Sequence, residues 1–203
     1  MALVTGPEFL AFMPQGTEAP ATVDRMGAAL AAAQQAIIAH CGRTFDLVEV
    51  GAVAAARSFR PTGCRDRWLS IHDCTSITSV VEAGVTLAAG VDFIAEPLDG
   101  LDSLGQSVPF TALTRTRGGW YHDDNLPTVT VTAIWGYAPE ADGVPAAVRE
   151  ACKLLAKDIL FAREMSGDVA GFNEFGSVRL RRNPQIAELL APFRRFETLV
   201  GFA

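Results

Sequence analysis

Thr128-Val129-Thr130-Val131-Thr132-Ala133-Ile134-Trp135 alternates polar and apolar residues as far as Ala133 and ends on apolar ones. Val129, Val131, Ala133 and Trp135 fall on one face and three threonines on the other, the two-residue period of a half-buried strand. After Gly143 the period changes. Pro145 stands near a helix start, and Val148, Cys152, Leu155, Ile159 and Ala162 recur at three- and four-residue spacing, which predicts a long helix that Gly167 closes. A strand of this kind feeding a helix of this kind puts both element types in one chain.

Upstream, shorter β signals lie at 68–71, 77–81, 85–87, 91–94 and 110–113, separated by Gly, Pro, Asp and Ser, so the middle of the chain reads as a small antiparallel sheet. Turn formers concentrate at 97–107 and 117–127, which predicts exposed loops. Near the start, Thr5 and Gly6 precede Pro7, Glu8 and the apolar Phe9, Leu10 and Phe12, a short helix stopped by Pro14 and Gly16. Thr22 reads as the N-cap of a long helix in which Val23, Met26, Leu30, Ala33 and Ile37 share a face and which Gly42 ends. Asn183 and Pro184 begin a last helix as cap and first residue, with Ile186, Leu189, Leu190 and Phe193 on its buried side until Pro192 disturbs it.

The expected fold is therefore a single α+β domain over 1–203. Two long antiparallel helices and shorter ones form a helical core (1–44 and 139–203), with a small antiparallel β-sheet inserted at 45–138.

At 203 residues, with 49% hydrophobic and 20% charged side chains, the chain has ordinary globular usage, which excludes a disordered, collagen-like or coiled-coil rod reading. A formal net charge of −6 argues against a protein that grips phosphate backbones through a broad basic face. The absence of an apolar run near the ~18 residues of a membrane span, and of a basic start before an apolar stretch, gives the expectation of a chain neither secreted nor membrane-embedded. Cys41, Cys64, Cys74 and Cys152 form no C-x-x-C pair and read as free thiols.

Charge is unevenly spread. Residues 1–176 carry 12 basic and 21 acidic side chains, a balance of −9, whereas 177–203 carry five arginines against two glutamates, a balance of +3. In this second segment Phe193, Phe196 and Phe202 lie beside Arg194 and Arg195, the composition of an interface anchor. Phe172 and Phe175 occupy a glycine-containing stretch, 168–178, with no period of its own, and two large rings there call for a partner surface. Arg179, Arg181 and Arg182 suit an extended arm that meets a neighbour, an acidic partner or passing DNA.

Catalytic chemistry finds little support. There is no glycine-rich phosphate loop, dinucleotide fingerprint or H-E-x-x-H pattern. His40 and Cys41 point about 100° apart on a helix, and the carboxyl end of that helix disfavours a thiolate. Along a strand His72 and Cys74 would share a face that Asp73 does not, and two ligands do not make a metal site. His122, Asp123 and Asp124 read as a solvated turn. No catalytic, cofactor-binding or metal-ligating residue is expected.

Order along the chain adds a resemblance. The long helix ending in Ile37-Ile38-Ala39-His40-Cys41-Gly42-Arg43-Thr44-Phe45 is followed by Arg57-Ser58-Phe59-Arg60-Pro61 and Trp68-Leu69-Ser70-Ile71. Then Val129 to Tyr137 runs through Val144-Pro145-Ala146-Ala147-Val148-Arg149-Glu150-Ala151, and the chain closes with Leu189-Leu190-Ala191-Pro192-Phe193-Arg194-Arg195. This order resembles the tailed-phage head-tail connector (adaptor) family, which includes prophage-encoded connectors and gene-transfer-agent adaptors. The resemblance implies a structural virion protein at the head-tail junction, assembled in the host cytoplasm as a homo-oligomeric ring, commonly of twelve copies. Its implied partners are the portal above, the next neck, stopper or tail protein below, and double-stranded DNA that passes without sequence-specific binding; no membrane is involved. It also implies that Phe193, Arg194, Arg195, Phe196 and Phe202 dock on the portal. The alternatives are a stopper or tail-completion protein one level lower and, from a different class, a hydrolase with an unrecognised site.

Overall fold

A computed structural model describes residues 2–13, 20–62, 66–101, 107–123, 126–139, 143–166 and 183–195. The chain divides into two compact units, one of Met1–Thr44 with Val144–Ala203 and one of Phe45–Gly143.

In the second unit a single strand, β3, runs for fifteen residues, Trp68–Glu82. A buried strand of that length needs hydrogen-bonding partners all along it. Its first half pairs with β6 (Phe110–Arg115), and its second half with β7 (Val129–Trp135). Cys74 is where the two neighbours meet, opposite Phe110 on one side and Trp135 on the other. The edges are completed by β2 (Ala55–Phe59) on β7 and β5 (Phe93–Glu96) on β6, giving the order β2-β7-β3-β6-β5 with β4 (Val85–Leu87) also on β3. Every pairing in this six-stranded sheet is antiparallel. Ala83 and Gly84, both at positive φ, make the two-residue turn from β3 into β4, a geometry that matches strand twist. Two short strands, β1 (Leu47–Val48) and β8 (Ala138–Pro139), pair in parallel apart from the main sheet. Gly136 permits that approach, because a Cβ there would lie 2.5 Å from Val48 Cγ2 and 3.1 Å from the Asp46 carbonyl.

The sheet has its own core, in which Leu69, Ile71, Val80, Phe93, Leu113, Val129, Val131 and Ala133 cluster with Trp120. Trp120 belongs to no strand. Its backbone N–H donates to the Asp66 carbonyl and its Nε1 to the Arg67 carbonyl, each at 2.9 Å, so the ring is buried with its polar edge satisfied. Beside it, Glu82 and Arg115 form an ion pair at 3.0 Å with side chains only 10% and 18% exposed. Glu82 also accepts from the Tyr121 N–H at 2.8 Å, and the Arg115 guanidinium lies 5.4 Å from the Trp120 ring centroid.

In the first unit, α1 (Gly6–Phe12) opens on a capping box. The Thr5 hydroxyl accepts from the Glu8 N–H at 3.4 Å, and the Glu8 carboxylate accepts from the Thr5 N–H and hydroxyl, each at 2.8 Å. These bonds hold the Glu8 carboxyl below its usual range. The long helices α2 (Pro20–Cys41) and α3 (Ala146–Ser166) pack together. Met26, Ala29, Leu30, Ala33 and Ile37 are buried on the first, and Val148, Ala151, Cys152, Leu155 and Ile159 on the second. A short helix α4 (Pro184–Leu190) follows, burying Ile186 and Leu190, and passes into a 3-10 turn at Ala191–Phe193. Asn183 caps α4 through its backbone only; its side chain instead donates to Asp158 on α3 at 3.1 Å. Among the described residues, no helix is long and apolar enough to cross a membrane.

The expected fold class is corrected by this architecture. The chain is a mixed α and β protein in which the six-stranded antiparallel sheet dominates, accompanied by four described α-helices; it is not a helical core carrying a small inserted sheet. The sheet was underestimated for three physical reasons. The polar stretch His72–Ser76 made one strand look like two, and β2 is an exposed edge whose sequence, Ala55-Ala56-Arg57-Ser58-Phe59, carries little apolar signal. The segment 117–127, expected as an exposed loop, supplies the buried Trp120. A smaller correction concerns α2, which begins at Pro20 and so includes Thr22 rather than being capped by it.

Two measurements check this packing. Glu82→Gln keeps an acceptor for the Tyr121 N–H but strips the charge facing Arg115, and should lower stability in urea unfolding by about 3 kcal/mol; replacing both members with apolar residues should cost less than that. Gly136→Ala should destabilise by about 2 kcal/mol through the clash with Val48, and adding Val48→Ala should recover part of the loss.

Candidate functional site

The terminal segment expected to anchor a partner begins on the last turn of α2. Beyond the 3-10 turn at Ala191–Phe193, the Arg195 N–H donates to the Cys41 carbonyl at 2.8 Å. That carbonyl is among those a helix end leaves without an intrahelical partner. Gly42, at φ +66, turns the chain out of the helix, and a Cβ there would come 3.5 Å from Arg195 Cβ, an ordinary contact. Arg194 is exposed, whereas Phe193 and Arg195 are half-buried. Positive side chains at a helix carboxyl end complement its dipole. Of the proposed anchor, then, Arg194 faces solvent, while Phe193 and Arg195 partly serve the fold. Phe196 and Phe202 lie outside the described residues, as do Phe172, Phe175, Arg179, Arg181 and Arg182.

The sparse chemistry of the chain is not brought together. Cys41 is buried, and although Arg43 and Arg194 favour its thiolate, burial pushes the thiol up to about 11. Burial pushes Cys152 up to about 12. Neither is an activated nucleophile at neutral pH. Cys74 is fully buried with its Sγ 3.8 Å from the Phe110 carbonyl, while His72 is exposed, so the face they were expected to share does not exist. The irregular register of β3 between Ser70 and Cys74 breaks simple alternation there. His122 Nδ1 lies 2.8 Å from the Pro61 carbonyl, Asp123 accepts from the Leu126 N–H at 3.3 Å, and Asp124 and Cys64 fall outside the described residues. Among the described residues, no group of three or more His, Cys, Asp or Glu is arranged to hold a metal ion.

One polar-aromatic cluster was missed. On the β2 side of the sheet the Arg57 guanidinium lies 4.6 Å from the Trp135 ring centroid and 3.1 Å from His72 Nδ1, with Phe59 against both rings. Trp135 Nε1 donates to the Ala55 carbonyl at 2.7 Å. Pairing of β2 with β7 creates this cluster, and β2 carries no strand signal strong enough to announce it. Its residues pack, stack and present charge; none is set against a nucleophile or a metal.

No family model matches the chain, and no curated protein is similar to it. Solved structures are informative. A chain in the neck of an empty gene transfer agent (GTA) particle, computed with C6 symmetry, is similar over 98% of this chain and 93% of that one, with 17% identity and a TM-score of 0.51. The fold matches that of a GTA neck chain. A chain of the native GTA virion is similar to the same extent, with 17% identity and a TM-score of 0.51 over 98% and 93% of the two chains. The likeness runs through both compact units rather than through the sheet alone.

The raised thiols make stability depend on alkaline pH. In the unfolded chain both lose a proton near the ordinary value of 9.0, while the fold retains it to about 11 at Cys41 and about 12 at Cys152. Between these limits the folded state binds more protons, so the contribution of the two thiols is constant at neutral pH and falls as pH rises above 9. The urea midpoint should drop through that window, and the double variant Cys41→Ala with Cys152→Ala should flatten the drop.

Proposed function

We propose that this chain is a structural neck protein of a tailed-phage-like or GTA particle, and within the neck the head-to-tail adaptor. Copies assemble as a ring, twelve by the family resemblance, below the portal. The ring lines the DNA exit channel and presents its far side to the next neck, stopper or tail component. The observation that carries this reading is the fold match to a GTA neck chain across nearly the whole length of both proteins. Order along the sequence supports it independently, because the strand-to-helix passage through Val144-Pro145 and the closing Pro192-Phe193-Arg194-Arg195 follow the adaptor pattern.

The physical chemistry suits the role. A ring through which DNA slides should not hold phosphate tightly, and a body with a balance of −9 over 1–176 disfavours lasting contact within a Debye length of ~8 Å. The basic, phenylalanine-containing end is the part suited to grip a protein, and in this reading it docks on the portal, Arg194 and Arg195 toward acidic side chains and Phe196 and Phe202 into apolar grooves. The function needs no catalytic group and no cofactor. The protein works at the head-tail junction of the virion, after assembly in the host cytoplasm.

Deleting residues 196–203 is the sharper test, because removal of 193–203 would also strip the Arg195 bond to Cys41. The shorter deletion should leave the unfolding midpoint near that of the full chain, abolish co-purification with portal, and give filled heads that lack tails or leak DNA. Arg194→Ala with Arg195→Ala should give a milder, salt-sensitive defect, since rim charges contribute less than buried aromatic anchors. Wild-type affinity for portal after the deletion would show the docking assignment to be wrong.

A further inference from the structure

The two edges of the sheet differ in charge. From 50 to 62, spanning β2, the chain carries Arg57 and Arg60 and no acidic residue; from 88 to 101, spanning β5, it carries Asp92, Glu96 and Asp99 and no basic residue. Among the described residues, β2 pairs only with β7, and Ile94–Glu96 of β5 only with β6. Among the described residues, no further strand pairs with the outer side of either one, and such an edge is a template for another strand. Exposed apolar side chains gather in the same unit. Of ten large ones among the described residues, nine lie within Phe45–Gly143, including Val50 (94% exposed) and Val53 (86%) before β2, and Val91 (68%) and Leu98 (62%) beside β5.

We infer that the β2 edge of one copy pairs with the β5 edge of the next, an inference that rests on the ring reading above and names its subunit contact. Four antiparallel steps separate β2 from β5 in the sheet, so the two strands run in the same direction. A neighbour added edge-on by a rotation that keeps strand direction therefore pairs them in parallel. Such a contact is heterologous, with different surfaces on its two sides, as a closed ring requires. The alternative of β2 against β2 sets Arg57 and Arg60 against their own copies and stops at a dimer. Charge selects the ring contact and rejects the dimer.

The test is sedimentation equilibrium of the full chain at low salt, up to millimolar concentration. The wild-type chain should associate beyond a dimer. Arg57→Glu with Arg60→Glu, and separately Glu96→Arg with Asp99→Arg, should each weaken association about tenfold or more, with circular dichroism unchanged. Because Arg57 also touches His72 and Trp135, the β5 variant serves as the independent arm. An equimolar mixture of the two variants should restore association, since each then meets the other's complementary edge. If the wild type assembles and both variants assemble equally well, the edge contact is wrong and the ring stands. If the wild type stays monomeric at millimolar concentration, contact and ring fall together. Restoration to dimers alone overturns the heterologous arrangement.

Discussion

Keeping a fifteen-residue strand hydrogen-bonded along its whole length is the constraint on which the sheet depends. Among the described residues no single strand is long enough to cover β3, so β6 takes its first half, β7 its second, and the hairpin strand β4 its end. This division makes Cys74 a crossing point and leaves β2 and β5 as outer edges. It also brings Glu82, at the last position of β3, to Arg115, at the last position of β6, where Trp120 and the Tyr121 N–H complete the site. A buried charge pair adds little net stability, but its geometry penalises any other register.

The helical unit solves a different problem, that of helix ends. Thr5 and Glu8 satisfy the first turn of α1, and the Arg195 N–H satisfies the last turn of α2 from more than 150 residues away in sequence. Through that bond the basic end of the chain gains a defined point of departure. A docking segment that starts from a fixed point loses less freedom on binding than one that swings from the end of a chain.

Among the described residues, no group of three or more His, Cys, Asp or Glu is placed to hold a metal ion, and neither Cys41 nor Cys152 is an activated thiol. The chain's described cysteines are buried, its histidines are not gathered, and the desolvated Glu82–Arg115 ion pair lies in the packed wall of a sheet. What it offers instead are surfaces of unlike charge, a basic terminus, an acidic body, and sheet edges of opposite sign. Such differences between surfaces suit contacts between unlike faces, which is what the proposed ring requires.

The sequence by itself determined the features whose cause is local. The alternation of Val129, Val131 and Ala133, the capping of α1 by Thr5, the helix after Pro145 and the stop at Gly42 all follow from side-chain period, proline, glycine and hydrogen bonds within a few residues. The order of these elements was also enough to suggest a resemblance to head-tail connectors, and the fold is similar to that of a GTA neck chain. Tertiary structure alone decided how large the sheet is and where its centre lies. Trp120 is a core residue because distant carbonyls at Asp66 and Arg67 accept its two N–H groups, and β2 is a strand because β7 offers it an edge. The parity of His72 and Cys74 was legible and misleading, because an irregular register in β3 sends one to solvent and the other into the core. Arg194 and Arg195 could be read as a charged end, but not that one of them caps α2. In each case the deciding partner lies far away in sequence, and pairing at that distance leaves no period in the chain to read.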